Sequence, residues 1–511
     1  MKITLISTST YPSDQGIRTI SSVLKKEGYQ VNLVFMALSE DYSRNYTLSE
    51  LNQLLALCKD SQLIGINSYA STSHRAARII HFIKKNIQVP IVYGGVHATI
   101  SPEEAIQHSD IICVGEGEGA VLDLTKAIEK KKSIDKIKNL WIKKQDQLIK
   151  NPVRNIIDNV DSLPFPDYEI ETHYILERGV IRKFHEKDLA GQIFFLTGRG
   201  CPYGCDYCSN SLFNELYKGK RKQILRWHSP EYIIKGILFL KNKFPSLSYF
   251  DIRDDTFSLR SLEDIKKFCK LYKEKVHMRF KCLGDPKTIN EEKIQLLVDA
   301  GCTDIIIGIQ GTQRVNKEIY HRNQRDEDVL KAAQILNKFK GKLAVMYDVI
   351  TCNPYETPQD IIDMIHLLQK IPKPYFLSVN NLVFFPGTKL DTRARKDSTI
   401  KTEKDAAYQL NYWDRSSHIK LKHKNIYLNL ILNLMRGVVT EKRFGIIPNS
   451  LLNKLLEEDR IKHNLKNSFP SYLVLEAVSV YDLVRERILK PAYRSLPLDF
   501  KVWYDKTRYR V

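Results

Sequence analysis

The sequence predicts an α/β protein made of two successive βα series, a doubly wound parallel sheet and then a partial (β/α)6 barrel, closed by a helical carboxyl-terminal extension. Three observations carry that expectation. Short apolar runs alternate with amphipathic stretches from residue 3 to 130 and again from 192 to 382, the pattern of parallel strands joined by crossover helices. Segments rich in Gly, Ser and Thr follow the strands of the first series, at the ends where such sheets bind ligands. Three thiols, Cys201, Cys205 and Cys208, fall within eight residues just after the first strand of the second series.

In the first series Ile3 to Ser7 reads as a strand, Arg18 to Glu27 as a helix, Val31 to Met36 as a strand and Leu48 to Lys59 as a helix. Leu63 to Ser68 is the next strand, followed by a helix from His74 to Lys85 and the strand Ile91 to Tyr93. A helix near Glu103, the strand Ile111 to Val114 and a helix from Ala120 to Lys130 complete the alternation. These elements make a Rossmann-like domain over residues 1–150, with a hairpin at Leu140 to Ile142 and Gln147 to Asn151. A linker is expected over 151–190, where the prolines of Asp161-Ser-Leu-Pro-Phe-Pro-Asp167 hold an extended crossing.

The second series has strands at Gln192 to Thr197, Tyr249 to Arg253, Arg279 to Cys282, Asp304 to Ile309, Val345 to Thr351 and Phe376 to Leu382. Helices fall at Pro230 to Asn242, Leu262 to Glu274, Glu291 to Ala300, Asp326 to Phe339 and Pro358 to Ile371. Six βα units imply a partial TIM-like barrel over 191–395, with its chemistry at the carboxyl ends of the strands. Residues 396–511 read as a basic helical domain packed over the barrel mouth, with apolar helical spacing at Ile426 to Val438 and Tyr472 to Ile488. Both stretches are too short to cross a membrane.

Composition narrows the class. The chain has 511 residues and 43% hydrophobic content, enough for two or three domains. Met1-Lys-Ile-Thr-Leu-Ile leads straight into a strand and no long apolar run follows, so neither signal peptide nor membrane span is expected and the localisation reads as cytoplasmic. Nine cysteines, six of them scattered singly, are no disulfide framework. Net charge is +20, yet the lysines at 25, 26, 84, 85 and 130–132 fall on helix faces, so no nucleic-acid partner is expected.

Three thiols in one loop make a metal site the first hypothesis, iron–sulfur or zinc. A structural zinc would need a fourth ligand, and His185 and His228 do not stand at a zinc spacing. A three-cysteine cubane keeps one iron open to a small molecule.

The spacing Cys201-x3-Cys205-x2-Cys208, with Tyr207 before the last thiol and an apolar strand before the loop, resembles the cluster loop of the radical S-adenosylmethionine superfamily. The resemblance implies a [4Fe-4S] cluster on Cys201, Cys205 and Cys208 that chelates S-adenosylmethionine and cleaves it to a 5'-deoxyadenosyl radical. The segment Asp251-Ile-Arg-Asp-Asp-Thr-Phe257 resembles an Asp-Asp-x-Phe signature of one subgroup, and the resemblance places Asp254 and Asp255 at the amino group of S-adenosylmethionine. Gln310 stands where many relatives have Glu, and a neutral amide can still bond ribose or carboxylate. Asn353 lies in Thr351-Cys-Asn-Pro-Tyr-Glu-Thr357, which is similar to a Gly-x-Pro-Gly-Glu-Thr pattern with both glycines replaced. Pro386-Gly387-Thr388-x-Leu390 extends the likeness to about residue 395.

The series Gly94-Gly95-x-His97-Ala98-Thr99, Pro102-Glu103 and Gly115-Glu116-Gly117-Glu118 resembles the cobalamin-binding domain of the same subgroup. It implies cobalamin across the first strand ends, against Ser9, Ser68, Ser71, Gly94, Gly95, His97, Gly115, Glu116 and Gly117. The Asp-x-His-x-x-Gly loop that supplies an axial histidine in other cobalamin proteins is absent, and His97 is expected to bond locally or to the corrin periphery. Together the resemblances imply a cobalamin-dependent radical enzyme that methylates an unactivated carbon or phosphorus. The alternatives are a radical rearrangement, cyclisation or oxidation, or a sensor of cobalamin. An electron donor such as flavodoxin or ferredoxin and a small-molecule or natural-product substrate of unspecified class would be its partners.

Overall fold

A computed structural model describes residues 1–38, 44–145, 147–189, 191–406, 425–467, 469–471, 473, 474 and 477. The first sheet contains β1 (Lys2–Ser7), β2 (Gln30–Phe35), β3 (Leu63–Asn67), β4 (Ile91–Gly94), β5 (Ile111–Cys113), β6 (Leu140–Lys144), β7 (Gln147–Lys150), β8 (His173–Glu177) and β9 (Val180–Lys183). Their order is β7-β6-β5-β4-β3-β1-β2-β8-β9. From β5 to β8 all pairings are parallel, and the two hairpins close the edges antiparallel. The helix over Leu48–Cys58 starts on a capping box, the Thr47 hydroxyl accepting from the Glu50 amide and Glu50 accepting from the Thr47 amide.

One boundary differs from the sequence reading. The segment 151–190, expected as a linker, supplies β8 and β9 and completes the first sheet beyond residue 150. The proline-containing stretch, expected to cross from one domain to the next, leads back into the first sheet, and Asp167 at its end is a buried hub. Ser21 Oγ donates to it at 2.5 Å and Lys25 Nζ lies 2.8 Å away. The buried Arg18 donates to Asp167 O at 2.5 Å and to Pro12 O at 2.6 Å, stacked over Tyr168. Two short strands of four and five residues behind a proline-rich stretch give too little periodicity to be read as sheet.

The second domain begins with β10 (Gln192–Phe195), then a two-stranded ribbon of β11 (Gly198–Arg199) and β12 (Arg226–Trp227), and continues through β13 (Tyr249–Ile252), β14 (Arg279–Gly284), β15 (Cys302–Gln310), β16 (Ala344–Thr351) and β17 (Tyr375–Asn381). The six strands β10, β13, β14, β15, β16 and β17 pair in parallel, and β10 does not meet the far edge, so the barrel is open. The carboxyl-terminal region, read as helical, contains the helix Ile426–Met435 but then adds β18 (Gly437–Val439), antiparallel to β17, and β19 (Arg443–Phe444) and β20 (Ile447–Pro448), each antiparallel to the strand before it. Strands of two or three residues leave no periodic signal. The expected helix at Tyr472 to Ile488 lies outside the described residues.

One apolar core runs through both domains, from Ile3, Leu5 and Phe35 across Tyr168, Ile175 and Phe184 to Ile193, Phe195 and Phe250. The helix faces Ile233, Ile237, Phe268, Leu297 and Ile361 close the outer side of the second sheet. The other face of that sheet, and the rim at its strand ends, is left for chemistry. No helix of the described residues is long and apolar enough to cross a membrane.

Candidate active site

The cysteine loop leaves β10 through Thr197 and passes along the ribbon in which Gly198 pairs with Trp227 and Arg199 with Arg226. Asp254, just past β13, fastens that exit. Its Oδ1 accepts from the Thr197 amide at 2.6 Å and the Gly198 amide at 3.1 Å, and its Oδ2 from the Thr197 hydroxyl. Arg260 donates to Thr197 O at 2.7 Å and to Thr197 Oγ1 at 2.8 Å. Asp254 is 2% exposed, and both its oxygens are engaged in holding the loop.

Cys205 is buried, and Cys201 and Cys208 are half-buried. The Cys208 amide donates to Cys205 O at 3.0 Å, and Asn214 Nδ2 donates to Cys201 O at 3.1 Å and Tyr203 O at 3.2 Å. The Tyr207 ring meets Tyr320 edge-on at 4.8 Å. Burial, and after it the charge of nearby Asp255 and of the other thiols, pushes Cys201 and Cys208 up to about 12. Thiols so placed ionise when a metal replaces the proton. Among the described residues no three His, Cys, Asp or Glu side chains close on a single ion. A cubane takes each thiolate on a different iron, so three separated thiols on one loop fit a cluster.

Asp255 faces this loop. It is open to solvent, lies beside Cys201 and Cys208 and bonds Asn210. Arg322 approaches from β15's side. It sits against Cys205, donates to Asp285 Oδ2 at 2.6 Å and to Gln324 Oε1 at 3.0 Å, and lies over the Tyr203 ring. Gln310 ends β15 with a φ of 67° where the register with β16 slips by one residue, which turns its side chain out of the strand's alternation.

Asn353 is 3% exposed; its Nδ2 donates to the Tyr320 hydroxyl at 3.1 Å and its Oδ1 accepts from the Tyr355 amide at 3.0 Å. The amide therefore shapes its own turn. Glu356 lies three residues on: burial first, then the Asp360 charge, lifts its carboxyl to about 8. The folded chain thus binds this proton more tightly than the unfolded chain, whose glutamate titrates near 4.5. Stability from this group is complete below that ordinary value and is lost as pH rises towards 8. Glu356→Gln is expected to raise the thermal midpoint at alkaline pH and to leave it unchanged near pH 5, as scanning fluorimetry across pH would show.

The first sheet changes direction at β1, with β2 on one side and β3 on the other, the crevice where doubly wound sheets take ligands. Ser9, Ser68, Ser71, Gly94, Gly95 and His97 are all brought to this end, after β1, β3 and β4. Gly95 has a φ of 97°, and a Cβ there would stand 2.0 Å from Asn67 Oδ1 and 2.7 Å from Ser68 O. Ser68 Oγ pairs with the Tyr93 hydroxyl at 2.7 Å. His97 is buried, its Nε2 bonded to Glu104 and its Nδ1 without a partner, so it is locally fixed as the sequence suggested. The small residues, close backbones and that orphaned nitrogen fit a bulky polar ligand.

Gly115, Glu116 and Gly117, after β5, lie in a loop that also meets the second domain. Glu116 Oε1 lies 2.7 Å from Arg226 Nη1 and 3.3 Å from Arg199 Nη1, and its Oε2 accepts from the Ile157 amide at 3.0 Å. Glu118 Oε1 accepts from Arg199 Nη2 at 2.7 Å. A Cβ on Gly115, whose φ is 87°, would stand 2.2 Å from the Tyr217 hydroxyl. The loop assigned to cobalamin by resemblance is packed against the ribbon that carries the cysteines. Sequence reasoning missed Arg199, Arg226, Arg322 and Glu356; charged residues flanking the cysteine loop and ending a strand were the available signals.

Two family models fall on these two sites. The B12 binding domain matches residues 1–125 and the Radical SAM superfamily matches residues 195–368. The chain belongs to the cobalamin-binding radical S-adenosylmethionine enzymes, and its cofactors are a [4Fe-4S] cluster, S-adenosylmethionine and cobalamin. An uncharacterized methyltransferase of Pyrococcus horikoshii is 24% identical over 380 residues, 73% of this chain and 77% of the relative. An anaerobic magnesium-protoporphyrin IX monomethyl ester cyclase of Synechocystis sp. is 23% identical over 48% of this chain and 47% of its own. The methyltransferase TsrM from Kitasatospora setae, solved with tryptophan substrate and an S-adenosylmethionine analogue, shares the fold with a TM-score of 0.63 at 16% identity, covering 78% of this chain and 77% of its own.

Proposed function

We propose that this enzyme is a methyltransferase acting on an unactivated carbon or phosphorus of a small substrate. The observation that carries the reading is the ion-paired contact of Glu116 and Glu118 with Arg199, two residues ahead of Cys201. It sets the strand ends assigned to cobalamin and the cysteine loop on one rim, as a reaction using both cofactors requires. When bound, a [4Fe-4S] cluster would supply the electron for reductive cleavage of S-adenosylmethionine, and cobalamin would supply methyl-carrying chemistry. Cys201, Cys205 and Cys208 hold the cluster in this reading, Asp255 receives the ammonium of S-adenosylmethionine and Arg322 its carboxylate. Gln310, turned out of β15, offers an amide to the ribose, and Asp254 and Asn353 position the two loops. The methyltransferase relative and the likeness to TsrM support methyl transfer; the cyclase relative supports a non-methylating radical reaction as the second reading.

Anaerobic turnover of reconstituted protein with cobalamin, a low-potential reductant and S-adenosylmethionine separates them. Methyl transfer gives both 5'-deoxyadenosine and S-adenosylhomocysteine above a Cys201, Cys205, Cys208 triple-Ala control. Deoxyadenosine alone selects the second reading, and neither product from protein with an intact cluster selects a sensor. Asp255→Asn is expected to weaken S-adenosylmethionine about tenfold or more in equilibrium binding while the cluster absorbance persists; unchanged binding would remove Asp255 from the site.

A further inference from the structure

The inner face of the second sheet is unlike that of a closed barrel, whose interior is filled with branched apolar side chains. Register places Phe194, Asp251, Lys281 and Asp304 side by side on β10, β13, β14 and β15. Gly308, Asp348 and Ser378 continue the face on β15, β16 and β17. Lys281 Nζ lies 2.8 Å from Asp251 Oδ2, and Arg253 Nη2 lies 2.7 Å from the same oxygen. That carboxylate is 1% exposed and its Oδ1 has no partner. The cations above it stay open, Arg253 with 37% of its side chain exposed and Lys281 with 19%. A guanidinium has five donors and an ammonium three, so anchoring to one oxygen leaves donors unused on both. Asp348 opposite them is bonded by Ser378 and Asn380.

Apolar surface adjoins the cations. The Arg253 guanidinium lies 4.8 Å over the Phe194 ring, which meets Tyr11 edge-on at 4.9 Å. Both rings line a cavity of about 540 Å³ between the β1 loop, the β8–β9 turn and β10. Arg253 is also two residues from Asp255, which faces the cysteine loop.

We propose that the substrate carries a carboxylate or phosphate on an apolar body, and that Arg253 and Lys281 receive the anion while Phe194 and Tyr11 pack the body. This rests on the second domain being the place of reaction. Asp251 fixes both cations from beneath, so the site is organised before the ligand arrives. Asp348, Ser378 and Asn380 face the same space and suit hydrogen-bond donors elsewhere on the ligand.

Ligand-observed saturation-transfer NMR on the cofactor-loaded full chain tests the assignment with phenylacetate, phenyl phosphate and phenethylammonium. Binding of at least one anion in preference to the ammonium is expected, and the stronger anion tells a carboxylate substrate from a phosphate ester. Lys281→Met and Arg253→Gln should each weaken that anion roughly tenfold. Asp251 keeps one cation in either variant, and cluster absorbance reports their integrity. Preference for phenethylammonium, anion binding that ignores both variants, or no anion binding by protein carrying its cluster and cobalamin would overturn the proposal. The radical reading fails separately, as absence of deoxyadenosine in the same preparations whatever the probes do.

Discussion

Replacing Cys205 with Ala, in protein reconstituted anaerobically with iron and sulfide, removes the visible absorbance of a cubane cluster and lowers deoxyadenosine formation a hundredfold or more, roughly to background. Cys201→Ala and Cys208→Ala are expected to do the same, because in the proposed assignment these three thiolates hold the cluster and one held by two has lost an anchor. Cys282→Ala is the control. Its sulfur lies 3.9 Å from that of Cys302 in the apolar core beneath the sheet, away from the rim. Iron and sulfide analysis, electron paramagnetic resonance of the reduced protein and product chromatography read the four variants together. A cluster that survives Cys205→Ala and disappears with Cys282→Ala would move the metal centre into the core and undo the assignment.

Arg199→Ala is the second large effect. Burial pushes the Glu118 carboxyl up, but Arg199 pulls it down further, so the pair stays ionised from neutral pH into acid. Removing the cation takes from Glu118, 6% exposed, its direct ion-pair partner and leaves it with the nearby charge of Arg226, while Glu116 keeps Arg226 and the Ile157 amide. Breaking a buried pair from one side costs about 3–5 kcal/mol, and the 23% exposure of Arg199 places this case towards the lower end. A thermal midpoint lower by roughly 5 °C or more is expected by scanning fluorimetry. Adding Glu118→Gln should recover part of the loss, since the stranded charge is then gone. Cobalamin content, measured by absorbance after gel filtration, should fall less than turnover, because the loop then orients one cofactor site against the other instead of forming either. Equal losses of both would show the loop to be a cobalamin contact, as resemblance alone had it.

Legibility followed chain locality. The parallel strands β1 to β5 and those of the second sheet were readable because each is a short, strand-like stretch close in the chain to an amphipathic helix, such as the one that Thr357 starts ahead of Pro358. The hairpin of β8 and β9 and the ribbon of β18 to β20 were not, since their stability comes from pairing with β2 and β17, partners more than 60 residues away on the chain or offered by a sheet edge. The cysteine loop stood out in the sequence because Cys201, Cys205 and Cys208 are local to one another. Asp254 and Asp255 were read as a pair, and only the fold shows that one holds Thr197 while the other faces the thiols. The ion pairing of Glu116 was not legible, because Arg199 and Arg226 stand 83 and 110 positions further on.

The completion of the first sheet by β8 and β9 bears on how this chain can be cut and recombined. The proline-rich crossing runs out from the first domain and returns to it before β10 begins, so the inheritable unit ends near residue 189 and includes the crossing. A gene fragment stopped at residue 150 would bare the Leu33 to Phe35 edge of β2 and the Phe35 ring packed on His173 and Phe184, and would aggregate through that edge. A swap of first domains between relatives would succeed only when the donor brings its own returning hairpin.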